Sequence, residues 1–250
     1  MSPGANPGNI QKISYKINNS LYRRFKLKQA YEIIKMAKKK FGNLAIAFAG
    51  GKDSLVTLHI ALKVDPEAVV IFNNTTVEFP ETIYYVRKIA KQWNFKLYIT
   101  KPKEPFFKKV KELGWASHDN RWCCRFCKDD PTFKLLSRLG IVAEITGTKR
   151  TDSMYRRYLK PIMPPSKEPY ILRINPIYDW NEHEIWDYIK SHDLPYNPLY
   201  DKGYRRVGCW CCPLNGVMHY NRLKKTHPQL YKFLEQYRPL HPIFKVSNKE

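Results

Sequence analysis

The sequence predicts an α/β fold in which a parallel sheet is covered by helices on both faces. Three observations carry this expectation. Short apolar runs rich in Val, Ile and Phe recur along the chain, each bounded by turn residues and too short for a helix. Between them lie longer segments with apolar residues at helical spacing, the alternation that a parallel sheet with crossover connections requires. The first run, "LAIAFAGGKDS", ends on two glycines and passes at once into a helical pattern. That is where such a sheet delivers the chain to a helix N-terminus.

The elements follow in order. Residues 1–25 mix Pro, Gly and polar residues with scattered aromatics and read as an extended arm or short strands. Over 26–41, Leu27, Ala30, Ile33, Ile34 and Ala37 mark one helix face. Residues 43–49 read as a buried strand and 54–63 as a helix. A second strand is "AVVIFNN", and the helix after it has Pro80 in its first turn. "FKLYIT" is a third strand, and "PFFKKVKELG" a helix closed by Gly114. After a first cysteine group come a helix, "PTFKLLSRLG", and a strand, "IVAEITGT". A basic loop, "KRTDSMYRRYLKP", leads through the Pro-rich "IMPPSKEP" to the strand "YILRINPI". In the helix "EHEIWDYIKSHD", Ile185, Trp186 and Ile189 fall on a core face. A loop, "LPYNPLYDKGYRRVGCWCCPLNG", precedes a basic helical C-terminal region.

The composition narrows the function classes. With 250 residues, 43% hydrophobic and 14% aromatic, the chain can bury a core. It shows no apolar run long enough to span a bilayer and no signal-peptide pattern at its start, so the expectation is a cytoplasmic protein without membrane contact. Forty-four Lys and Arg against 22 Asp and Glu give a formal net charge of +22. Such a surface attracts polyanions, which makes a nucleic acid a possible partner beside a nucleotide. No RNA-module signature and no concentrated basic tail accompanies the charge. A homo-oligomer is equally compatible with the sequence.

The diglycine turn is built for an anion. Gly50 and Gly51 let backbone N–H groups approach phosphate oxygens, while Lys52 adds a mobile charge. Asp53 follows, and Ser54 can cap the helix and donate to phosphate. The spacing is neither that of the P-loop nor that of the dinucleotide fingerprint. An ordinary strand-to-helix turn is the bland alternative. Lys149, Arg150, Arg156 and Arg157 follow a later strand that should end on the same sheet edge, and arginine forks suit phosphate and sulfate. A solvated charge run is the alternative for Arg156 and Arg157.

The six cysteines form two groups, Cys123, Cys124 and Cys127, then Cys209, Cys211 and Cys212. In a reducing compartment, clustered cysteines read as metal ligands or redox thiols. Cys124–Cys127 and Cys209–Cys212 are each C-x-x-C, a donor set for tetrahedral zinc, although the separation of the pairs is long for a zinc ribbon. His219 and His227 read as surface or core histidines rather than proton-transfer groups.

Several stretches carry a resemblance. "AGGKDS" resembles the pyrophosphate loop of the adenine-nucleotide hydrolase superfamily, with Ala49 in place of its usual first serine. "NNTTVEFPETIYYV", "GTKRTDSMYRR" and, most closely, "INPIYDWNEHEIWDYIKSHDLPYNPLYDKGYRRVGC" resemble segments of the phosphoadenosine phosphosulfate (PAPS) reductase family. Together these cover residues 44 to 213. The resemblance implies a Rossmann-like, adenine-nucleotide alpha-hydrolase-like sheet over 26–215, flanked by an N-terminal arm (1–25) and a basic helical tail (216–250). It also implies nucleotide contacts from Gly50, Gly51, Lys52, Asp53, Ser54, Arg156 and Arg157, with Lys149 and Arg150 at the sulfate.

The pattern of adjacent cysteines followed by C-x-x-C resembles the family's [4Fe–4S] motif and implies Cys123, Cys124, Cys209 and Cys212 as ligands, with zinc the alternative. Family reductases carry a C-terminal Glu-Cys-Gly-Leu-His segment whose cysteine attacks sulfur. Here no cysteine follows Cys212. Cys127 and Cys211, each with cationic sequence neighbours that would lower a thiol pKa, are the candidates left within the chain. A thioredoxin-like or other thiol reductant is the candidate outside it. The expected activity is reduction of PAPS or of adenosine phosphosulfate (APS) to sulfite. The alternatives are an ATP pyrophosphatase that adenylates tRNA or DNA for thiolation, and a nucleic-acid-binding module without chemistry.

Overall fold

The structure is a computed structural model that describes residues 7–117, 119–164 and 170–245. Parts of two expected segments, the start of the N-terminal arm and residues 165–169 of the Pro-rich stretch, lie outside the described residues, as does the end of the tail.

Six strands form one sheet in the order β3-β2-β1-β4-β6-β5. They are β1 (Leu44–Ala47), β2 (Val69–Asn73), β3 (Leu97–Thr100), β4 (Ala143–Ile145), β5 (Ile162–Met163) and β6 (Leu172–Ile174). All neighbours pair in parallel except β5, which lies antiparallel on the edge beside β6. Alternation along the strands explains why both faces need cover. Leu44, Ile46, Val70 and Phe72 face one core, while Ala45 and Ile71 face the other.

The first core is closed by α1 (Pro7–Phe41), α2 (Lys52–Val64), α3 (Pro80–Gln92) and α7 (Glu182–Ser191). The second is closed by α6 (Asp130–Arg138), through Leu135 and Leu136. α5 (Trp122–Cys124) runs through a π-turn (Arg125–Asp129) directly into α6. A third core lies outside the sheet. There α4 (Phe106–Leu113), α8 (Val217–Thr226), α9 (Pro228–Glu235) and α10 (Pro242–Lys245) pack around Phe106, Trp210, Tyr220 and Leu234, with Cys127 and Cys211 among them.

One expectation is overturned. Residues 7–25 are not an extended arm but the first part of the 35-residue α1, which crosses the boundary placed at 25/26. Pro7 suits a first helical turn, and no further proline occurs before Pro66, so a helix anchored by buried Ala30, Ile33 and Ile34 can extend backwards. Side chains also tie it down. Lys26 Nζ donates to Glu184 at 2.9 Å and to the Asp179 carbonyl at 2.6 Å, and Arg23 pairs with Asp187 at 2.6 Å.

The topology positions the site. From β1 the chain turns to β2 on one side, and β4 returns on the other. The loops leaving the C-terminal ends of β1 and β4 therefore diverge, opening a crevice of the kind that binds ligands in open α/β sheets.

Candidate nucleotide site and thiol cluster

Three cavities run from this crevice to the cysteines. The first, about 510 Å³, is lined by Gly51, Lys52, Asp53 and Ser54 from the diglycine turn, by residues 146–149 after β4, and by Tyr200, Arg205 and Arg206 from the loop after α7. Gly50 has φ +75°, and a Cβ there would stand 2.9 Å from Thr82 Cγ2. Only glycine makes this bend without strain. A third glycine is as constrained: a Cβ on Gly147 would lie 2.8 Å from the Asp53 carbonyl carbon and oxygen and 2.9 Å from the Ser54 nitrogen. The β4 loop thus packs backbone to backbone on the first turn of α2. The Tyr200 hydroxyl accepts the Lys52 backbone N–H at 2.8 Å, and Ser54 Oγ donates to the Gly51 carbonyl at 2.9 Å.

Charge in this cavity is paired across the crevice. Lys149, 3% exposed, bridges Asp53 and Asp152, its Nζ lying 3.0 Å from Asp152 Oδ1. Burial works against the Asp152 carboxylate, yet hydrogen bonds from the Lys149 backbone and side chain outweigh it and hold Asp152 below its ordinary value. Arg156 donates to the same carboxylate at 2.8 Å.

The second cavity, about 240 Å³, shares Ala47, Ala49 and Val207 with the first. Lys128 and Arg173 line it together with Glu78, Asp129 and Glu144. Arg173 is ion-paired with the buried Glu144. Burial alone would depress the Lys128 ammonium, but Cys209, Glu78, Cys124 and Asp129 around it win and raise it. Burial pushes the Glu78 carboxyl up.

Lys128 also lines the third cavity, about 40 Å³, which all six cysteines surround. Cys123 and Cys124 come from α5, Cys127 from the π-turn, and Cys209, Cys211 and Cys212 from the loop before α8. A single bridge between Glu78 and Cys209 and the Trp210 N–H to Val77 carbonyl bond at 3.0 Å hold this loop to the chain after β2. The Tyr220 hydroxyl fixes it from α8 by donating to the Cys212 carbonyl at 2.6 Å. A hydrogen bond from Cys123 is the largest influence lowering Cys124, and Arg121, 3.4 Å from its sulfur, adds to it against burial. That same bond, with burial, raises Cys123.

The sequence-predicted residues are sorted by this geometry. Gly51, Lys52, Asp53, Ser54, Lys149 and Arg156 line the nucleotide-sized cavity. Gly50 shapes it from beneath. Arg150 and Arg157 do not line it: Arg150 donates to the Leu159 carbonyl at 2.8 Å and stacks on Tyr178, and Arg157 lies over Tyr158. The low-pKa expectation for Cys127 and Cys211 is reversed. They are 2% and 0% exposed, and burial pushes Cys127 up to about 12 and raises Cys211 also. Lys128 lowers Cys127, but burial outweighs it, and the other basic sequence neighbours do not help. Arg125 turns to Asp130, while Arg205 and Arg206 line the first cavity. His219 and His227 are structural, held by the Trp210 carbonyl at 2.9 Å and Glu81 at 2.8 Å.

Sequence reasoning missed Thr146, Thr148, Tyr200, Arg205 and Arg206 in the first cavity and Lys128 and Arg173 in the second. The threonines flanking Gly147 at a strand end were the available signal. Among the described residues no three His, Cys, Asp or Glu side chains are already drawn together as a metal-binding group. The donor chemistry nevertheless fits an iron–sulfur cluster or zinc, because thiols from two distant segments converge on one cavity. Among the described residues no helix is long and apolar enough to cross a membrane.

The comparisons with known proteins agree with this geometry. Residues 43–215 match the phosphoadenosine phosphosulfate reductase domain. An uncharacterized protein of Methanocaldococcus jannaschii is 35% identical over 205 residues, covering 82% of this chain and 49% of its own length, so the chain spans about half of that relative. Adenosine 5'-phosphosulfate reductase of Staphylococcus haemolyticus is 30% identical over 74% of this chain and 76% of that protein. The phosphoadenylyl-sulfate reductase of Candida auris, solved as a phosphate complex, superposes with a TM-score of 0.61 at 31% identity, over 73% of this chain and 88% of that one. A sheet edge that gathers the diglycine turn and two cysteine groups, within a sequence so matched, leaves one conclusion: the chain belongs to the phosphoadenosine phosphosulfate reductase family.

Proposed function

We propose that the chain is a sulfonucleotide reductase acting on PAPS or APS. The observation that supports this best is the series of cavities, each sharing lining residues with the next, from the diglycine turn, past Lys128 and Arg173, to the cysteines. In this reading the nucleotide phosphates lie on the first turn of α2, and the sulfonate points along the line toward Lys128 and Arg173 in the second cavity. A thiolate attacks the sulfonate sulfur. The new S–S bond forms as the S–O bond to phosphate breaks, and AMP or its 3′-phosphorylated form leaves. A second thiol then attacks the sulfur of the first, releasing sulfite and closing a disulfide, so the dithiol is oxidised by the two electrons that sulfur gains. Cations beside the leaving phosphate supply most of the stabilisation.

Because Cys127 and Cys211 are buried with raised pKa values, the attacking dithiol is assigned to a separate thioredoxin-like or other thiol reductant. Such thiols stay reduced in a cytoplasm. Cys123, Cys124, Cys209 and Cys212 would hold a [4Fe–4S] cluster, or zinc as the alternative, and the bound group would polarise the sulfonate electrostatically. A second reading is favoured by Asp53, Asp152 and Glu182, which line the first cavity. Three carboxylates suit a nucleotide that arrives with magnesium, as ATP does for an ATP pyrophosphatase. Incubating anaerobic protein with PAPS, APS or ATP and a dithiol separates the two. Sulfite release from a sulfonucleotide is expected, and pyrophosphate release from ATP without sulfite would overturn the reductase reading.

A further inference from the structure

A fourth cavity lies beside the edge strand of the sheet. It is a groove of about 750 Å³ between β3, the edge strand, and α6. Its walls carry Lys101, Lys103, Lys134 and Arg138, all exposed. None of the four has a carboxylate partner among the described residues. The one acidic residue in the lining, Asp130, is already paired with Arg125 at 3.6 Å. Two half-buried aromatic rings, Tyr98 and Phe126, complete the walls, with Lys96 and Lys109 over their faces at 5.3 and 5.5 Å.

Lysines beside an edge strand also discourage strand addition, and that role alone would place Lys101 and Lys103 just after β3. It does not explain Lys134 and Arg138, which approach the same groove from α6, nor the two rings in its lining. Unpaired cations along a concave track with aromatic faces inside it match single-stranded nucleic acid. The backbone supplies regularly spaced charge, and every base offers a face for stacking. An acidic protein segment would satisfy the charge but leave the rings unused. We propose that this groove docks a single-stranded nucleic acid, its phosphates along Lys101, Lys103, Lys134 and Arg138 and its bases against Tyr98 and Phe126. The proposal does not depend on which nucleotide the crevice takes.

Fluorescence anisotropy of a labelled oligouridylate of ~12 nucleotides on the full chain, over about 50 to 200 mM salt, tests it. The triple variant Lys101→Glu, Lys134→Glu, Arg138→Glu is expected to weaken binding by more than ~10-fold. It should also flatten the dependence of log K on log salt by roughly 2, at about 0.7 per lost phosphate contact on a single strand. Tyr98→Ala is expected to weaken oligouridylate several-fold and to leave binding of inorganic polyphosphate, which has no bases, unchanged. An unaltered melting temperature and unaltered adenine-nucleotide binding show that the variants are folded. If the triple variant fails that check, Lys134→Glu alone is read instead, with a slope change of roughly 0.7 expected. A folded charge-reversed variant that binds oligouridylate as the parent does would overturn the proposal. So would a Tyr98→Ala protein whose losses for oligouridylate and polyphosphate are equal.

Discussion

The tightest contact at the nucleotide crevice is also the simplest to perturb. Replacing Gly147 by alanine places a methyl 2.8 Å from the carbonyl carbon and oxygen of Asp53 and 2.9 Å from the Ser54 nitrogen. Ordinary carbon contacts begin near ~3.5 Å, so the methyl arrives about 0.7 Å too close. Neither side can yield cheaply. The obstructing atoms are backbone in the first turn of α2. Gly147 itself follows Thr146, whose N–H is bound to the Ile174 carbonyl at 2.8 Å and whose hydroxyl donates to Asn175 at 2.8 Å. Overpacking of this kind costs about 1–3 kcal/mol.

The effect on binding should exceed what stability alone implies, because the separation falls between the two loops that form the crevice. A displacement approaching ~1 Å in a positioned site costs up to ~100-fold. Gly147→Ala is therefore expected to lower the urea midpoint by an amount equivalent to about 1–3 kcal/mol and to weaken adenine-nucleotide binding at least ~10-fold by calorimetry. Gly51→Ala is the internal comparison. Gly51 has φ −88°, and a Cβ there would meet only the Tyr200 hydroxyl, at 3.4 Å. It should cost less than ~1 kcal/mol. A Gly147→Ala protein with parental stability and nucleotide affinity would show that the close approach of α2 and the β4 loop does not set the site.

Further expectations concern the thiols, the basic loop and the acid limit of stability. Protein purified anaerobically should be brown and lose its colour on Cys209→Ser; colourless protein with stoichiometric zinc would reassign the metal. Arg157→Met should leave nucleotide affinity unchanged, since Arg157 lies over Tyr158 and away from the crevice. A large loss in calorimetry would show that the loop swings inward on binding. Glu81 links α3 to the loop after α7 through Lys202 at 2.5 Å and to the C-terminal helices through His227 at 2.8 Å. Burial would raise its carboxyl, but hydrogen bonds from Lys202 and His227 prevail and lower it to about 2. A depressed carboxylate stabilises the fold above its unfolded value and loses that contribution as pH falls toward about 2. Urea midpoints should therefore drop more steeply between about pH 5 and pH 3 in the parent than in Glu81→Gln, and equal slopes would refute the coupling.

The parts legible in the sequence were those set by local pattern. The strands and crossover helices announce themselves by periodicity, and the diglycine turn by its place between a buried run and a helix. Residues 26–41 of α1 were legible but residues 7–25 were not, because Pro7, Gly8 and scattered polar residues lower local helix propensity. The hold of α1 comes instead from ion pairs to Asp187 and Glu184, more than 150 residues away in sequence. Two predicted arginines failed for a related reason. Runs of charge give residue type but not direction, and the backbone turns Arg150 and Arg157 toward tyrosine rings outside the crevice.

The cysteines show the limit most clearly. Basic neighbours in sequence suggested activated thiols at Cys127 and Cys211, but neighbours along a chain need not be neighbours in space. Arg205 and Arg206 precede Cys211 closely yet line the first cavity, while Cys211 sinks into the apolar core under Tyr220 and His241. What fixes the second cysteine group to the chain after β2 is the short pairing of Glu78 with Cys209, a contact with the loop before α8 that no periodicity encodes. That pairing has a consequence for the path to the thiols. Residues 205–209 pass along all three cavities in turn, Arg206 in the first, Val207 in the first and second, Gly208 in the second and Cys209 in the third. One continuous stretch thus ties the diglycine turn to the sulfurs, so a change that loosens it at Cys209 should be felt at the first cavity as well as at the thiols.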